Sequence, residues 1–168
     1  MIVSNRLPLV MERGEHGWES KPASGGLITA LGPVLRRCGG VWIGWAGTDG
    51  TDGYELHRVL AEYEESIGYE LRAVPISKPE VEGFYQRRKN AAGESKSGRI
   101  VKRVVTIPTV PHVSIHQAGG RTTGYIVLKN FVEPSYAALD AAFAQARDAS
   151  ATGLILDVRY NGGGLIAV

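Results

Sequence analysis

The run Gly153-Leu154-Ile155-Leu156-Asp157-Val158 constrains the fold of this chain more than any other stretch. It is almost unbroken in apolar residues, without the polar alternation of a strand that wets one face. A strand of this kind belongs inside a parallel sheet covered on both sides. The segments before it supply the partners. Gly124-Tyr125-Ile126-Val127-Leu128 reads as a strong strand, and Pro134 sits near the start of a helix that turns Leu139, Ala142, Phe143 and Ala146 inward. After it, Asp157-Val158-Arg159-Tyr160-Asn161-Gly162-Gly163-Gly164 is a strand-to-loop transition able to present backbone N–H groups. Further upstream, Ile100-Val101 and Val104 to Ile107 read as an edge-like strand ended by Pro108 and Pro111, and Val113-Ser114-Ile115 is a short alternating run before a Gly119-Gly120 turn.

The front of the chain follows the same strand–helix logic. Ile2-Val3 is a short apolar start that Pro8 interrupts, followed by a polar loop with Gly14 and Gly17. Ser24-Gly25-Gly26 then opens a helix with Leu27, Ala30, Leu31, Val34 and Leu35 on one face. Ser24 is a natural N-cap, and the glycines let an anion approach the first backbone N–H groups. Gly39-Gly40 stops the helix, and Val41 to Trp45 alternates as a strand. Leu60, Tyr63, Glu64 and Ile67 suggest a short helix, and Tyr69 to Ile76 a further strand. Ser77-Lys78-Pro79-Glu80 is a capping box for a helix that carries Val81, Phe84, Tyr85 and Arg88 on one face. Strand–helix–strand alternation makes the chain α/β, with ligands expected beyond the strand ends. That geometry sets the Asn5-Arg6 loop and the Ser24–Gly26 loop on one edge.

Charge divides the molecule. Residues 1–85 hold 8 Lys/Arg against 12 Asp/Glu, whereas residues 86–168 hold 11 against 5. Between Arg87 and Arg103 lie seven basic residues and one acidic residue, Glu94, with no interleaved aromatics for base stacking, so this run reads as a solvated linker and not a nucleic-acid site. The single cysteine, Cys38, excludes an internal disulfide. Met1 leads straight into a strand without a basic segment or long apolar run, so no signal peptide is expected. No stretch approaches the roughly 20 apolar residues of a membrane span.

Val3-Ser4-Asn5-Arg6-Leu7-Pro8, Ser24-Gly25-Gly26-Leu27, Gly40 to Gly47 and Gly83-Phe84-Tyr85 follow one another as they do at the start of the trehalose-6-phosphate synthase family, which residues 1–85 resemble. The resemblance implies two Rossmann-like domains and metal-free transfer of glucose from UDP-glucose to glucose-6-phosphate. It further implies that Arg6, Trp45 and Tyr85 touch the acceptor sugar and its phosphate, with Trp42 close enough to compete with Trp45, and that Gly25 and Gly26 belong to the loop that closes on the donor. Arg6 suits such a phosphate because it is always charged and binds in bidentate fashion. An aromatic face with a polar tip likewise suits a sugar. The alternative for Trp42, Trp45 and Tyr85 is a place in the core.

From Gln86 the sequence no longer follows that family. Gly124-Tyr125-Ile126, Asn130-Phe131 and Leu154 to Leu165 resemble the tail-specific, or C-terminal processing, serine protease family, over about residues 98–168. Gly162 stands where many members carry proline. The resemblance makes Gly163 the candidate oxyanion-hole amide, while Asp157, Arg159 and Asn161 are expected to fix the loop. The family's serine and lysine lie downstream, and the chain stops at Val168 in an apolar run expected to begin the next helix. Ser135 and Lys129 lie on the wrong elements to replace them, so no catalytic set is complete.

Among the histidines, His112 and His116 share a strand face about 13 Å apart, with no Glu or Cys at ligand spacing, so neither a metal nor another cofactor is expected. The expected fold class is α/β, an incomplete Rossmann-like unit over 1–85 and an incomplete strand–helix–strand unit over 98–168, joined by a basic linker at 86–97. These pieces either pair into one hybrid sheet or stand as two lobes, the arrangement towards which the basic linker leans. The expected function is that of a chimera without the full activity of either parent. Its expected ligands are sugar phosphates or nucleotide sugars, with no membrane partner and a cytoplasmic location. The alternatives are a serine peptidase-related protein or a sugar-phosphate-binding module alone.

Overall fold

A computed structural model describes residues 1–15, 17–48, 53–77, 79–80 and 108–164. Its elements are β1 (Ile2–Arg6), β2 (Leu9–Gly14), β3 (Gly17–Pro22), α1 (Gly26–Cys38), β4 (Val41–Trp45), α2 (Gly53–Ile67), β5 (Glu70–Ala73), β6 (His112–Ala118), β7 (Arg121–Val127), α3 (Pro134–Asp148) and β8 (Gly153–Asp157). The chain is α/β, as its sequence predicts. Of the two arrangements the sequence leaves open, the described residues take the hybrid: one six-stranded sheet in the order β5-β4-β1-β8-β7-β6. Every neighbouring pair in it is parallel except β6 with β7.

The apolar strand β8 fills the position its composition demands, between β7 and the chain's first strand. Ile2 pairs with Leu156 and Val3 with Asp157. Leu156 N donates to Met1 O at 3.0 Å, and Val158 N to Val3 O at 2.8 Å. Register then aligns Leu71, Trp42, Ile2, Leu156 and Ile126 across five strands. Partners in register share a face of the sheet, and in this row all but Leu156 are fully buried. Burying a large apolar side chain contributes about 1.5–3 kcal/mol, so the row that crosses from one half to the other is also what holds them together.

Helix α3 comes down on the same face at Gly124, where a Cβ would stand only 3.0 Å from Ala146 Cβ. The absent side chain is what lets helix and strand approach. As the sequence predicts, Ala142 and Ala146 are buried while Leu139 packs against the core. Trp42 stacks on Tyr69 with ring centroids 6.3 Å apart, and its Nε1 donates to Ser4 Oγ at 2.7 Å.

Several local expectations are corrected. Residues 9–22 are a hairpin and not a polar loop: Leu9 and Met11 alternate inward around exposed Val10, and Trp18 of β3 packs against the core. Helix α1 begins one residue later than an N-cap at Ser24 requires. Gly25 is the N-cap and no side chain caps the helix. The inward face of α1 is Leu27, Ile28, Leu31 and Leu35, while Val34 is exposed. Helix α2 starts at Gly53, well before Leu60. The Gly39-Gly40 stop does end α1, with φ of 69° and 135°. Ser77 N donates to Glu80 Oε2 at 2.8 Å, one of the two bonds of a capping box, while Ser77 Oγ donates to the same oxygen at 2.7 Å. The remainder of that helix, Tyr85, the linker at 86–97 and the strand expected at 100–107 lie outside the described residues.

Candidate functional site

Parallel strands end together, and the loops that follow them surround a common space. Here β1 and β8 are neighbours, so the loop after each opens into one crevice of about 550 Å³. From the front it takes Asn5 and Arg6 at the end of β1 and Ser24, Gly25 and Gly26 at the start of α1. From the back come Val158, Asn161, Gly162 and Gly163. Of the residues singled out in the sequence, Arg6, Gly25, Gly26 and Gly163 meet here. Trp45 does not line the crevice, and Tyr85 lies outside the described residues.

Arg6 owes its position to a tight crossing. The register of β1 against β4 shifts between Val3 and Arg6. At Gly44 a Cβ would stand 2.7 Å from the Arg6 carbonyl carbon, so only glycine admits this approach. Leu7 N donates to Trp45 O at 2.9 Å, and Ser4 Oγ donates to Arg6 O. With its backbone fixed, the exposed guanidinium lies over the Trp45 ring, 5.0 Å from the centroid. Trp45 thus acts on the crevice through Arg6, and its own Nε1 donates to Thr48 O at 3.1 Å. Trp42 is the core tryptophan of the pair and closes the inner end of the crevice. Among the described residues Arg6 has no carboxylate partner.

The two glycine loops differ in what they offer. At α1 the first-turn N–H groups have no intrahelical partner. No side chain caps the helix, and the Gly25 N-cap sits at φ 154°. Those amides carry the partial positive charge of a helix N-terminus and line the same crevice as Arg6. In the back loop the amides are spent. Gly163 N donates to Asn161 Oδ1 at 2.8 Å, and Gly162 N to Lys129 O at 3.0 Å. Asn161 Nδ2 in turn donates to Leu128 O at 3.3 Å.

A charged cluster secures the base of that loop. Asp157 is 2% exposed, and its carboxylate accepts from Arg159 N, from the Arg159 guanidinium and from the Tyr125 hydroxyl. Burial alone would raise the Asp157 pKa, but the hydrogen bonds from Arg159 and Tyr125 outweigh it and hold the carboxyl below the ordinary range. The same contacts push Arg159 and Tyr125 up, each led by its bond to Asp157.

The crevice lining contains one cation and no carboxylate, imidazole, lysine or cysteine among the described residues. Such a surface can hold an anion. Asn161 and Gly162 are members that the sequence did not bring to this crevice. Their position depends on the pairing of β8 with β1, for which neither half carries a local signal. Among the described residues no group of three or more metal-binding side chains occurs, and no helix is long and apolar enough to cross a membrane.

The two halves are similar to different proteins. The front is 42% identical over 96 residues to a trehalose-6-phosphate synthase of Mycobacterium tuberculosis, covering 54% of this chain and 18% of that enzyme. Trehalose-6-phosphate synthases of a Mycobacterium species (strain JLS) and of Mycobacterium avium are 39% and 38% identical over 92 and 95 residues, again about half of this chain. The chain spans less than a fifth of the length of these curated relatives. Residues 122–168 match the profile of Peptidase family S41.

Proposed function

We propose that the chain is a chimera of a trehalose-6-phosphate synthase-like front and a tail-protease-like back, with a crevice that binds sugar phosphates without turning them over. The observation that supports this most is the opening of the Arg6 guanidinium and the uncapped start of α1 onto the same space. An always-charged fork and a set of backbone donors are the two groups that a phosphate monoester uses. Among the described residues the lining holds no acid or base, which speaks for binding over catalysis. The sugar phosphate comes from the family resemblance. Glucose-6-phosphate is the acceptor it implies, and UDP-glucose is a second candidate. Its lone cysteine, Cys38, is exposed, and a cytoplasmic location would keep that thiol reduced.

Calorimetry with glucose-6-phosphate and with UDP-glucose tests the proposal. Binding of glucose-6-phosphate that falls at least about tenfold in Arg6→Ala is the expected result, because one charge-assisted contact contributes roughly 1.5–3 kcal/mol. Arg6 is exposed, so the variant should keep its thermal midpoint. No binding by the wild-type chain would end the reading. UDP release from the two sugars together, above a buffer blank, would overturn the absence of turnover. A peptidase reading has less support, because the Gly163 amide that should face an oxyanion is held by Asn161.

A further inference from the structure

Away from the crevice, β6 places His112, Ser114 and His116 on one side of the sheet, in register with Val127, Tyr125 and Thr123 of β7. Their side chains converge: Ser114 Oγ is 3.2 Å from His112 Nε2 and 2.9 Å from His116 Nε2. Both imidazoles meet the Tyr125 ring edge-on, with centroids 5.8 and 6.2 Å away. Tyr125 is itself immobilised, since its hydroxyl donates to Asp157 Oδ2 at 2.5 Å and Asp157 is gripped by Arg159. The histidines are exposed and the serine half-buried, so the cluster is open to a small molecule.

Proton counting decides what the cluster is. A serine hydroxyl owns one hydrogen, so at most one of the two imidazole nitrogens accepts it, and the other must carry a hydrogen and donate to Oγ. In one pair of tautomers His116 Nε2 accepts that hydrogen and His112 Nε2–H donates to Oγ. Ser114 is then a hydroxyl with a base on one side and an N–H donor on the other, and the Tyr125 ring packs edge-on against that base. That is the arrangement of an activated nucleophile.

We propose that Ser114 is a nucleophilic centre that accepts an acyl group from small activated esters. Oγ bonds to the ester carbonyl carbon as its proton passes to His116 Nε2. The N–H of His112 donates to the carbonyl oxygen as that oxygen takes up charge. The bond to the leaving oxygen breaks, and the departing alkoxide or phenolate takes the proton from His116. Ser114 is left as its ester and the alcohol is released, with no oxidant, reductant or further reactant. An acyl group fits better than a phosphoryl group, because the cation of this network, Arg159, is committed to Asp157. None of the three β6 residues lines the crevice, so this site stands whether or not sugar phosphates bind there.

The test incubates the full chain with p-nitrophenyl acetate, follows nitrophenolate release and maps the acetyl group by peptide mass spectrometry. We expect the acetyl on Ser114, none at that position in Ser114→Ala, and acetylation slowed at least about tenfold in His116→Ala. His112→Ala should slow it less, and circular dichroism of these surface variants should match the wild type. Wild-type protein that carries no acetyl on Ser114 overturns the proposal. So does undiminished ester cleavage in Ser114→Ala with acetyl on an imidazole, which would make the histidines the nucleophiles. Equal acetylation of Ser114 in His116→Ala removes the assigned base and overturns it as well.

Discussion

The chain has two glycine loops on one crevice, and they are built in opposite ways. Ser24-Gly25-Gly26 leaves the first amides of α1 without a cap. Asn161-Gly162-Gly163-Gly164 ties its amides and carbonyls to Asn161, Lys129 and Phe131. Glycine content alone does not make a loop receptive. What separates the two is whether a side chain within hydrogen-bonding reach claims the exposed N–H groups first. In the front loop Ser24 fails to cap, and in the back loop Asn161 succeeds.

That contrast breaks most visibly at Asp157, which anchors the closed loop. Asp157→Ala leaves the Tyr125 hydroxyl and the Arg159 guanidinium without their acceptor and should cost about 3 kcal/mol in urea unfolding. A loss below about 1 kcal/mol would mean that the cluster is not what secures the loop. The same contact fixes the acid response. The folded-state pKa of Asp157 lies below its ordinary value, so its stabilisation is complete above the unfolded carboxyl range near about 4. It disappears as pH falls through the lowered folded value. The wild-type thermal midpoint should therefore drop more steeply below about pH 4 than that of Asp157→Asn.

Alanine at the glycines gives a smaller and more pointed comparison. At Gly164 a Cβ would overlap the Phe131 carbonyl at φ 150°, whereas at Gly25 the space is open and only the φ of 154° resists. Gly164→Ala should cost roughly 2–4 kcal/mol, from steric overlap and backbone strain together. Gly25→Ala should cost about 1–2 kcal/mol, from strain alone. Equal losses by chemical denaturation would abolish the distinction between the loops. The smallest effect belongs to Asn161→Ala, about 1 kcal/mol for its hydrogen bonds. It should also speed hydrogen exchange at the Gly163 amide, and an unchanged exchange rate there would show that Asn161 is not what claims it.

Much of this was readable from local pattern. The apolar run of β8, the inward alanines of α3 and the Gly39-Gly40 stop each follow from period or from glycine conformation, which need no distant partner. The hairpin of β2 and β3 was not legible. Its charged outer positions, with Lys21 against Glu12, mask the alternation of Leu9 and Met11. The Ser24 cap failed for a related reason, because a capping side chain is one of several solutions and the chain uses the glycine after it. The crevice was half legible. Arg6, Gly25 and Gly26 stand out on the front, yet nothing near Asn161 or Gly162 in sequence says that β1 will lie beside β8.

That pairing also sets an order of events. Ile2 and Val3 are synthesised well before their partners Leu156 and Asp157, which lie 154 positions further along the chain. Until β8 is made, β1 can be flanked by β4 only, and its other edge stays open. Closing it requires a contact between segments far apart in sequence, the slow kind of folding step. The nascent chain therefore carries an unsatisfied strand edge from the emergence of β1 to that of β8, and the demand for chaperone protection should be greatest just before β8 emerges.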